Sequence, residues 1–157
     1  MERMGLPCPP MPDVFTKSQR SEVMSRIRST GNASTELAMI RVFRAHGITG
    51  WRRNKKLRFL VRGSSFLVRP DFLFPERKIA LFVDGAFWHG HPTRCRIPKT
   101  RRAWWQAKIE GNKARDQRQN RLLRKKGWKV VRIWQHELER KCLSLALRKL
   151  RAAGLLA

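Results

Sequence analysis

Two acids stand where apolar runs break. Asp71 follows Pro70 and precedes Phe72-Leu73-Phe74, and Asp84 closes the run Ile79-Ala80-Leu81-Phe82-Val83 just before Gly85. Carboxylates at the ends of neighbouring strands offer oxygen ligands to a hard cation such as Mg²⁺, and a substrate phosphate supplies others. Such a cation polarises a phosphoryl oxygen and activates water. The competing reading is that both acids pair with nearby arginines. Beyond them lies Asp84-Gly85-Ala86-Phe87-Trp88-His89-Gly90-His91, which adds two imidazoles. With an ordinary pKa near 6.5, an imidazole can take a proton from water at neutral pH. Two histidines in a loop, with nothing else near, are more often plain polar residues.

The elements that would position these groups follow from periodicity. Thr16 can cap a helix reaching about Ser29, and Ser34 or Thr35 a second one through about His46. In the second helix Leu37, Ile40, Val42 and Phe43 face inward, and Gly47 suits its end. Leu57, Phe59 and Val61, then Phe66 and Val68 across the turn Arg62-Gly63-Ser64-Ser65, read as a hairpin, with Asp71–Phe74 as a short continuation. Ile79–Val83 is unbroken and apolar, as in a strand covered on both faces. Residues 85–100 are irregular. Arg101–Lys126 reads as one long helix, or two with a kink near Gly111, with a sparse inner stripe of Trp105, Ile109 and Leu122. Trp128–Trp134 is another strand, and a last helix from about Glu137 would bury Leu138, Leu143, Leu145, Leu147 and Leu150. The order predicts one α/β domain: a mixed central β-sheet flanked by helices, over residues 13–157, after a flexible segment 1–12.

Composition narrows the partners. Among 157 residues there are 36 Lys+Arg and 11 Asp+Glu, a net charge of +25. At 41% hydrophobic the chain can bury a core, so it is not a disordered polycation. No apolar run approaches the roughly 18 residues of a membrane span, and Met1–Pro12 lacks the apolar stretch of a signal peptide. Cys8, Cys95 and Cys142 are odd in number and far apart, which suits a reducing compartment. A polyanion is the expected partner, nucleic acid before membrane. The six tryptophans strengthen this, because Trp stacks well on bases.

The run Phe82-Val83-Asp84-Gly85-Ala86-Phe87-Trp88-His89-Gly90-His91-Pro92 resembles the signature of the very short patch repair (Vsr) endonucleases. These are DNA mismatch nickases of the PD-(D/E)XK-like, restriction-endonuclease-like superfamily. The resemblance runs from about Asp13 to Leu138. It takes in Thr16–Ser21 with Met24 and Ile27, Thr35-Glu36-Leu37, Arg69-Pro70-Asp71-Phe72 and Pro98-Lys99-Thr100. Trp105–Ile109 with Asn112 and Arg115-Asp116, Gly127–Val130 and Trp134–Leu138 complete it. It implies that Asp71 is the principal metal-binding aspartate and that the Val83 backbone carbonyl also touches the Mg²⁺. It implies that His89 is the general base, that Glu36 is a helical acid near the same centre, and that Asp84 occupies a site position held by an acid or a histidine. The superfamily's usual Lys after the second acid is absent, since Gly85-Ala86 follow Asp84; His89 takes that role in this family. Phe87, Trp88 and Trp105, with Trp104 as the alternative, match side chains that wedge into DNA beside the mispair; for Trp105 a plain core position is the competing reading.

One departure concerns a structural Zn²⁺. The family's first zinc ligand is a Cys, and here Ala86 stands in its place. His91, Cys95 and His136 remain as candidate ligands, whereas a structural site wants four. Either Cys8, Cys142 or water completes the set, or the loop is held by packing alone. Arg101, Arg102, Lys108, Lys113 and Arg115, on the long basic helix, are expected to face the DNA backbone. The expectation is therefore a monomeric, Mg²⁺-dependent endonuclease of the cytoplasm and nucleoid. It would nick one strand of double-stranded DNA at a T·G mispair, in company with mismatch-repair proteins. The alternatives are an endonuclease of restriction, transposition or homing type on paired DNA, or a catalytically inactive DNA-binding protein.

Overall fold

A computed structural model describes Ser18 and residues 35–157. The helix expected over 16–29 and the segment 1–12 lie outside the described residues, Ser18 excepted.

Helix α1 (Glu36–Ala45) buries Met39, Ile40, Val42 and Phe43. Thr35 holds the N-cap position, yet no side-chain cap bond forms there. Leu37, expected to face inward, is exposed, because the inward stripe is set by Met39, Ile40 and Phe43 and residue 37 points the other way. At the far end the Gly47 N–H reaches the Arg44 carbonyl (3.3 Å) and the Ile48 N–H the Phe43 carbonyl (2.8 Å). Gly47 has φ +63°, the left-handed conformation that this closure requires.

The main sheet has four strands: β1 (Arg52–Arg53), β4 (Phe72–Phe74), β5 (Ile79–Asp84) and β6 (Lys129–Trp134), in the order β1-β4-β5-β6. β4 runs antiparallel to both β1 and β5, with Phe72 opposite Leu81, whereas β5 and β6 are parallel, with Phe82 opposite Arg132. Every residue of β5 is buried, as its unbroken apolar run predicts. The hairpin β2 (Leu57–Val61) and β3 (Ser64–Val68) forms as expected, but as a two-stranded sheet of its own. Phe72–Phe74 does not continue it. Those three residues are committed to β5, and Pro70, which has no N–H to give a ladder, separates the two pairings. β1, a pair of arginines without periodicity, was not foreseen.

Alternation in the strands divides the core into two layers. Phe72, Phe74, Ile79, Leu81, Val83, Val131 and Ile133 meet α1 and the last helix on one face. Leu73, Ala80 and Phe82 on the other face meet Val68 of the hairpin and Leu123 of α2 (Arg102–Lys125). Helix α2 is continuous past Gly111, without the kink weighed from sequence. The last helix, α3, starts at Leu143 rather than near Glu137 and runs to Ala153. Residues Gln135–Leu138 instead make a 3₁₀ turn, in which the Glu137 carboxylate accepts from the Trp134 N–H (3.0 Å) and from Lys149 Nζ (2.7 Å). With that start the inward stripe is Leu143, Ala146, Leu147, Leu150 and Ala153, so Leu145 is exposed where burial was expected.

Phe43 is wholly buried and meets Phe72 and Phe74 edge to face, at 5.0 and 5.6 Å between ring centroids. Phe43→Ala should therefore cost about 3–5 kcal/mol in urea unfolding. Leu37→Ala, on the exposed side of the same helix, should change stability by under about 0.5 kcal/mol. Equal effects of the two would overturn this placement of α1.

Candidate active site

Asp71 sits between β3 and β4, where the chain crosses onto the main sheet. Its Oδ2 accepts the Val83 N–H (2.8 Å), and its carbonyl accepts the Asn54 N–H (3.1 Å). Burial raises its pKa from 3.8 to about 6; the Val83 N–H and His89 oppose this, while Glu36 and Asp84 push the same way. Among the described residues no salt bridge neutralises it. A desolvated carboxyl with two more carboxylates nearby is an environment that a cation would relieve. Glu36, at the start of α1, is buried and holds Arg53 Nη2 (2.6 Å) and Asn54 Nδ2 (3.3 Å) on one oxygen, so it acts on Asp71 from within an ion pair.

Asp84 is engaged by an arginine. Arg132 Nε lies 2.6 Å from its Oδ2, and Arg132 Nη2 lies 2.9 Å from its Oδ1. Both oxygens thus carry guanidinium bonds, which is the arginine pairing that the sequence left open. The physical reason is the parallel register: Phe82 lies opposite Arg132, so Asp84 and Arg132 are diagonal neighbours on the face toward α2. Arg132 also stacks over the Phe82 ring at 4.7 Å.

The same guanidinium reaches α2. Arg132 Nη2 is 3.3 Å from Asp116 Oδ1, and Nη1 donates to Asn120 Oδ1 (3.1 Å). The other Asp116 oxygen lies 2.6 Å from His89 Nδ1. Burial works against ionising Asp116. The His89 bond and the charges of Arg132, His89 and Arg115 outweigh it and hold this carboxyl below its usual range. An ionised carboxylate only accepts, so Nδ1 must carry the proton and Nε2 of the neutral ring keeps its lone pair.

Helix α2 fixes the loop that carries His89. Asn112 Nδ2 donates to the Trp88 carbonyl (2.9 Å). The His89 N–H turns back to the Gly85 carbonyl (3.2 Å) and the His91 N–H to that of Ala86 (2.8 Å). Gly90, at φ +60°, packs directly on the helix; a Cβ there would fall on Lys113 Cε and lie 2.8 Å from Ile109 Cγ2. Trp105, Ile109, Asn112, Asp116, Asn120 and Leu123 recur at helical spacing and form the face turned to the loop and sheet. The missing apolar stripe of α2 is therefore a polar one.

Phe87, Trp88 and Trp105 are half-buried and form one aromatic cluster, with centroids 5.2 Å apart for Phe87–Trp88 and Phe87–Trp105 and 5.9 Å for Trp88–Trp105. Trp104 stacks on its edge at 4.7 Å and is 57% exposed. The most accessible ring is thus the one held as the alternative. Arg101, Arg102, Lys108, Lys113 and Arg115 are all exposed.

Cys8 lies outside the described residues, and the candidate zinc donors within them do not close into a ligand set. Among the described residues no three His, Cys, Asp or Glu side chains form a group that could hold a metal. The His91 and His136 rings lie 4.9 Å apart, and His136 Nδ1 is buried without a hydrogen-bond partner. However, His91 Nδ1 accepts the N–H groups of Thr93 and Arg94 (both 3.2 Å), and the Cys95 thiol donates to the Phe87 carbonyl (3.5 Å). Those bonds hold the loop as arranged.

Sequence reasoning did not assign Arg132, Asp116, Asn112 or Asn120 to the site. The available signals were the helical spacing of Asn112, Asp116 and Asn120 with Ile109, and the place of Asn112 and Asp116 among the motifs of the resemblance. Nothing local marks Arg132 among so many arginines.

A fold that delivers an imidazole, an ionised carboxylate behind it and a desolvated aspartate to one basic, aromatic-edged face is suited to cutting a phosphodiester, and the protein is a DNA endonuclease. Residues 12–95 match the family model of the DNA mismatch endonuclease Vsr, and the chain belongs to that family. It is 37% identical over 129 residues to the type II nicking enzyme V.XorIIP of Xanthomonas oryzae pv. oryzae, across 82% of this chain and 88% of that one. It is 32% identical over 126 residues to the DNA mismatch endonuclease Vsr of Escherichia coli K12, across 80% and 74%. Among solved structures, the catalytic domain of the homing endonuclease I-Bth0305I aligns with a TM-score of 0.42 at 17% identity, over 76% of this chain and 90% of that one.

Two glycine substitutions test the seat of the loop. Gly90→Ala meets Ile109 and Lys113 at a left-handed φ and should lower stability by more than about 1 kcal/mol. Gly111→Ala, on α2 with nothing within 4 Å, should raise it by about 0.5–1 kcal/mol. Thermal unfolding measures both, and a stabilised Gly90→Ala protein would contradict the packing of the loop on α2.

Proposed function

We propose that the protein hydrolyses one phosphodiester of double-stranded DNA at a T·G mispair, as a Mg²⁺-dependent nickase of very short patch repair. The carrying observation is the pairing of Asp71, desolvated and crowded by carboxylates, with a neighbouring imidazole held by Asp116. A single buried carboxylate suits Mg²⁺, which keeps several waters and shares its remaining positions with phosphate. Asp71 would hold the ion, with the Val83 carbonyl beside it. When bound, the ion neutralises charge developing on the phosphate and lowers the pKa of a ligated water.

The chain's own residues do the rest. His89 accepts the proton of the attacking water at Nε2 while the water oxygen bonds to phosphorus. The bond from phosphorus to the 3′ oxygen breaks, and that oxygen takes a proton from solvent water, leaving a 3′-hydroxyl and a 5′-phosphate. Asp116 stabilises the imidazolium as it forms. Glu36 and Asp84, each held in an ion pair, act at one remove through the field around Asp71. Phe87, Trp88 and Trp105, with exposed Trp104, supply apolar surface to wedge beside the mispair, where unstacking costs least. Arg101, Arg102, Lys108, Lys113 and Arg115 meet the phosphates. A net charge of +25 opposes self-association, in keeping with a monomer acting in the nucleoid. The name of the Escherichia coli relative supports the mismatch; those of the type II nicking enzymes support the single-strand cut.

Asp71→Asn should abolish nicking of a T·G duplex in Mg²⁺ while DNA affinity stays within a few fold, since the basic surface supplies the binding. Wild-type nicking by this variant, or nicking undiminished in EDTA, would refute the metal assignment. A matched duplex cut as fast as the T·G duplex would instead favour an enzyme of paired DNA.

Replacing Phe87 and Trp88 together by Ala should lower T·G nicking far more than salt-sensitive binding to matched DNA, at about 1–3 kcal/mol for each stack lost. 2-Aminopurine beside the mispair should brighten when the wild-type protein binds and not when the double variant does. Unchanged fluorescence with the wild-type protein would remove the wedge.

A further inference from the structure

We propose that Arg132 is a positioning residue for His89, acting through Asp116. The proposal rests on the reading of His89 as the base and adds a residue to it. All three guanidinium nitrogens are engaged. Nε and Nη2 fork onto Asp84 (2.6 and 2.9 Å), Nη2 also lies 3.3 Å from Asp116 Oδ1, and Nη1 bonds Asn120 (3.1 Å). The side chain is 20% exposed, and its charge is kept by the two carboxylates despite burial.

The need for this arrangement comes from His89. Its Nδ1 lies 2.6 Å from Asp116 and 3.6 Å from Asp84. One N–H therefore faces two carboxylates, and only one of them can orient the ring. Arg132 resolves the competition by occupying both oxygens of Asp84 and one of Asp116. Among the described residues Asp116 Oδ2 is the oxygen of these two carboxylates that no guanidinium nitrogen engages, and it faces Nδ1. The ring is held in one tautomer and one rotation, with Nε2 directed away from the carboxylates. Neutralising two buried acids would need only a positive charge. Fixing which oxygen receives His89 needs the planar fork that Arg provides and Lys does not. Arg132 touches no reacting atom, so its effect belongs to the imidazole geometry and not to DNA binding.

The test uses the full chain with ¹⁵N-labelled histidine, reading the His89 ring tautomer by long-range ¹H–¹⁵N correlation at a pH where the ring is neutral. T·G nicking is measured under single turnover beside it. Arg132→Met should mix the two tautomers and lower the nicking rate on the order of 10²-fold, with DNA affinity unchanged. Should Arg132→Met not fold, Asp84→Asn/Arg132→Met removes the fork together with its buried partner; it should fold and still show mixed tautomers and the slow rate. Arg132→Lys, which keeps the charge, should behave like Arg132→Met. A single Nδ1–H tautomer with wild-type nicking in the double variant, or in Arg132→Lys, would overturn the proposal by reducing Arg132 to charge neutralisation. His89→Ala separates this from the underlying reading: if it nicks at the wild-type rate, the general-base assignment itself has failed, whatever the tautomer spectra show.

Discussion

This chain has few acids, and it buries four of them against bases drawn from other elements. Glu36 on α1 holds Arg53 of β1, Asp84 of β5 holds Arg132 of β6, and Asp116 of α2 holds His89 and Arg132. Glu137, after β6, holds Lys149 of α3. Glu36, Asp84, Asp116 and Glu137 are the buried charged side chains among the described residues. An unpaired buried charge is costly, and removing one partner of such a pair costs about 3–5 kcal/mol. Each pair therefore ties two elements together at one relative position, which apolar packing alone does less sharply. Asp71 is the departure. It is desolvated beside these pairs, and among the described residues it has a backbone N–H but no salt bridge. The charge left uncompensated by the fold lies where the proposed chemistry needs a cation.

The same logic explains how so polar a helix as α2 stays docked. Only Ile109, Asp116 and Leu123 of its 24 residues are buried, far short of a normal amphipathic stripe. In place of hydrophobic area it offers Asn112 to the Trp88 carbonyl, Asp116 to His89 and Arg132, and Asn120 to Arg132. Directional bonds fix register and rotation, where an oily stripe would tolerate sliding. The exposed side of the helix is then free to carry Arg102, Lys108, Lys113, Arg115, Arg118 and Arg121. One element thus serves as wall of the site and as a basic surface suited to a polyanion.

Much of this was legible from the residues, and the losses have identifiable causes. The strand Ile79–Val83 was readable because burial on both faces leaves an unbroken apolar run, and the hairpin because its alternation is interrupted by Arg62-Gly63. Asp71 and His89 were readable as candidates because their types are rare in so basic a chain and their local sequence marks turns. The role of Asp84 was not, since its partner lies 48 positions away and meets it only through the parallel β5–β6 register. Asp116 was quoted in the resemblance without a role, because its contact with His89 lies 27 positions away and appears only once the helix is docked. The start of α3 was misplaced for a related reason. Glu137 looks like a helix-forming residue, but its carboxylate is taken by Trp134 and Lys149, which confines Gln135–Leu138 to a 3₁₀ turn.

Charge and shape must divide the work of recognition. On the proposed reading, a net charge of +25 draws the protein to any duplex, through a counterion-release term that is strong at low salt and indifferent to sequence. Discrimination therefore has to come from a term that the charges do not supply. Among the described residues the aromatic cluster is suited to provide it, since Trp104 presents a ring to solvent while Phe87, Trp88 and Trp105 brace one another behind it. Phe87 and Trp88 share their short loop with His89, and Asn112 pins that loop through the Trp88 carbonyl. On the proposed reading, a ring that enters the duplex moves with the same few residues that hold the base. A duplex that resists unstacking then also fails to bring its phosphate to His89. Tight binding to undamaged DNA and selective cutting become compatible, because the first depends on charges spread along α2 and the second on one loop.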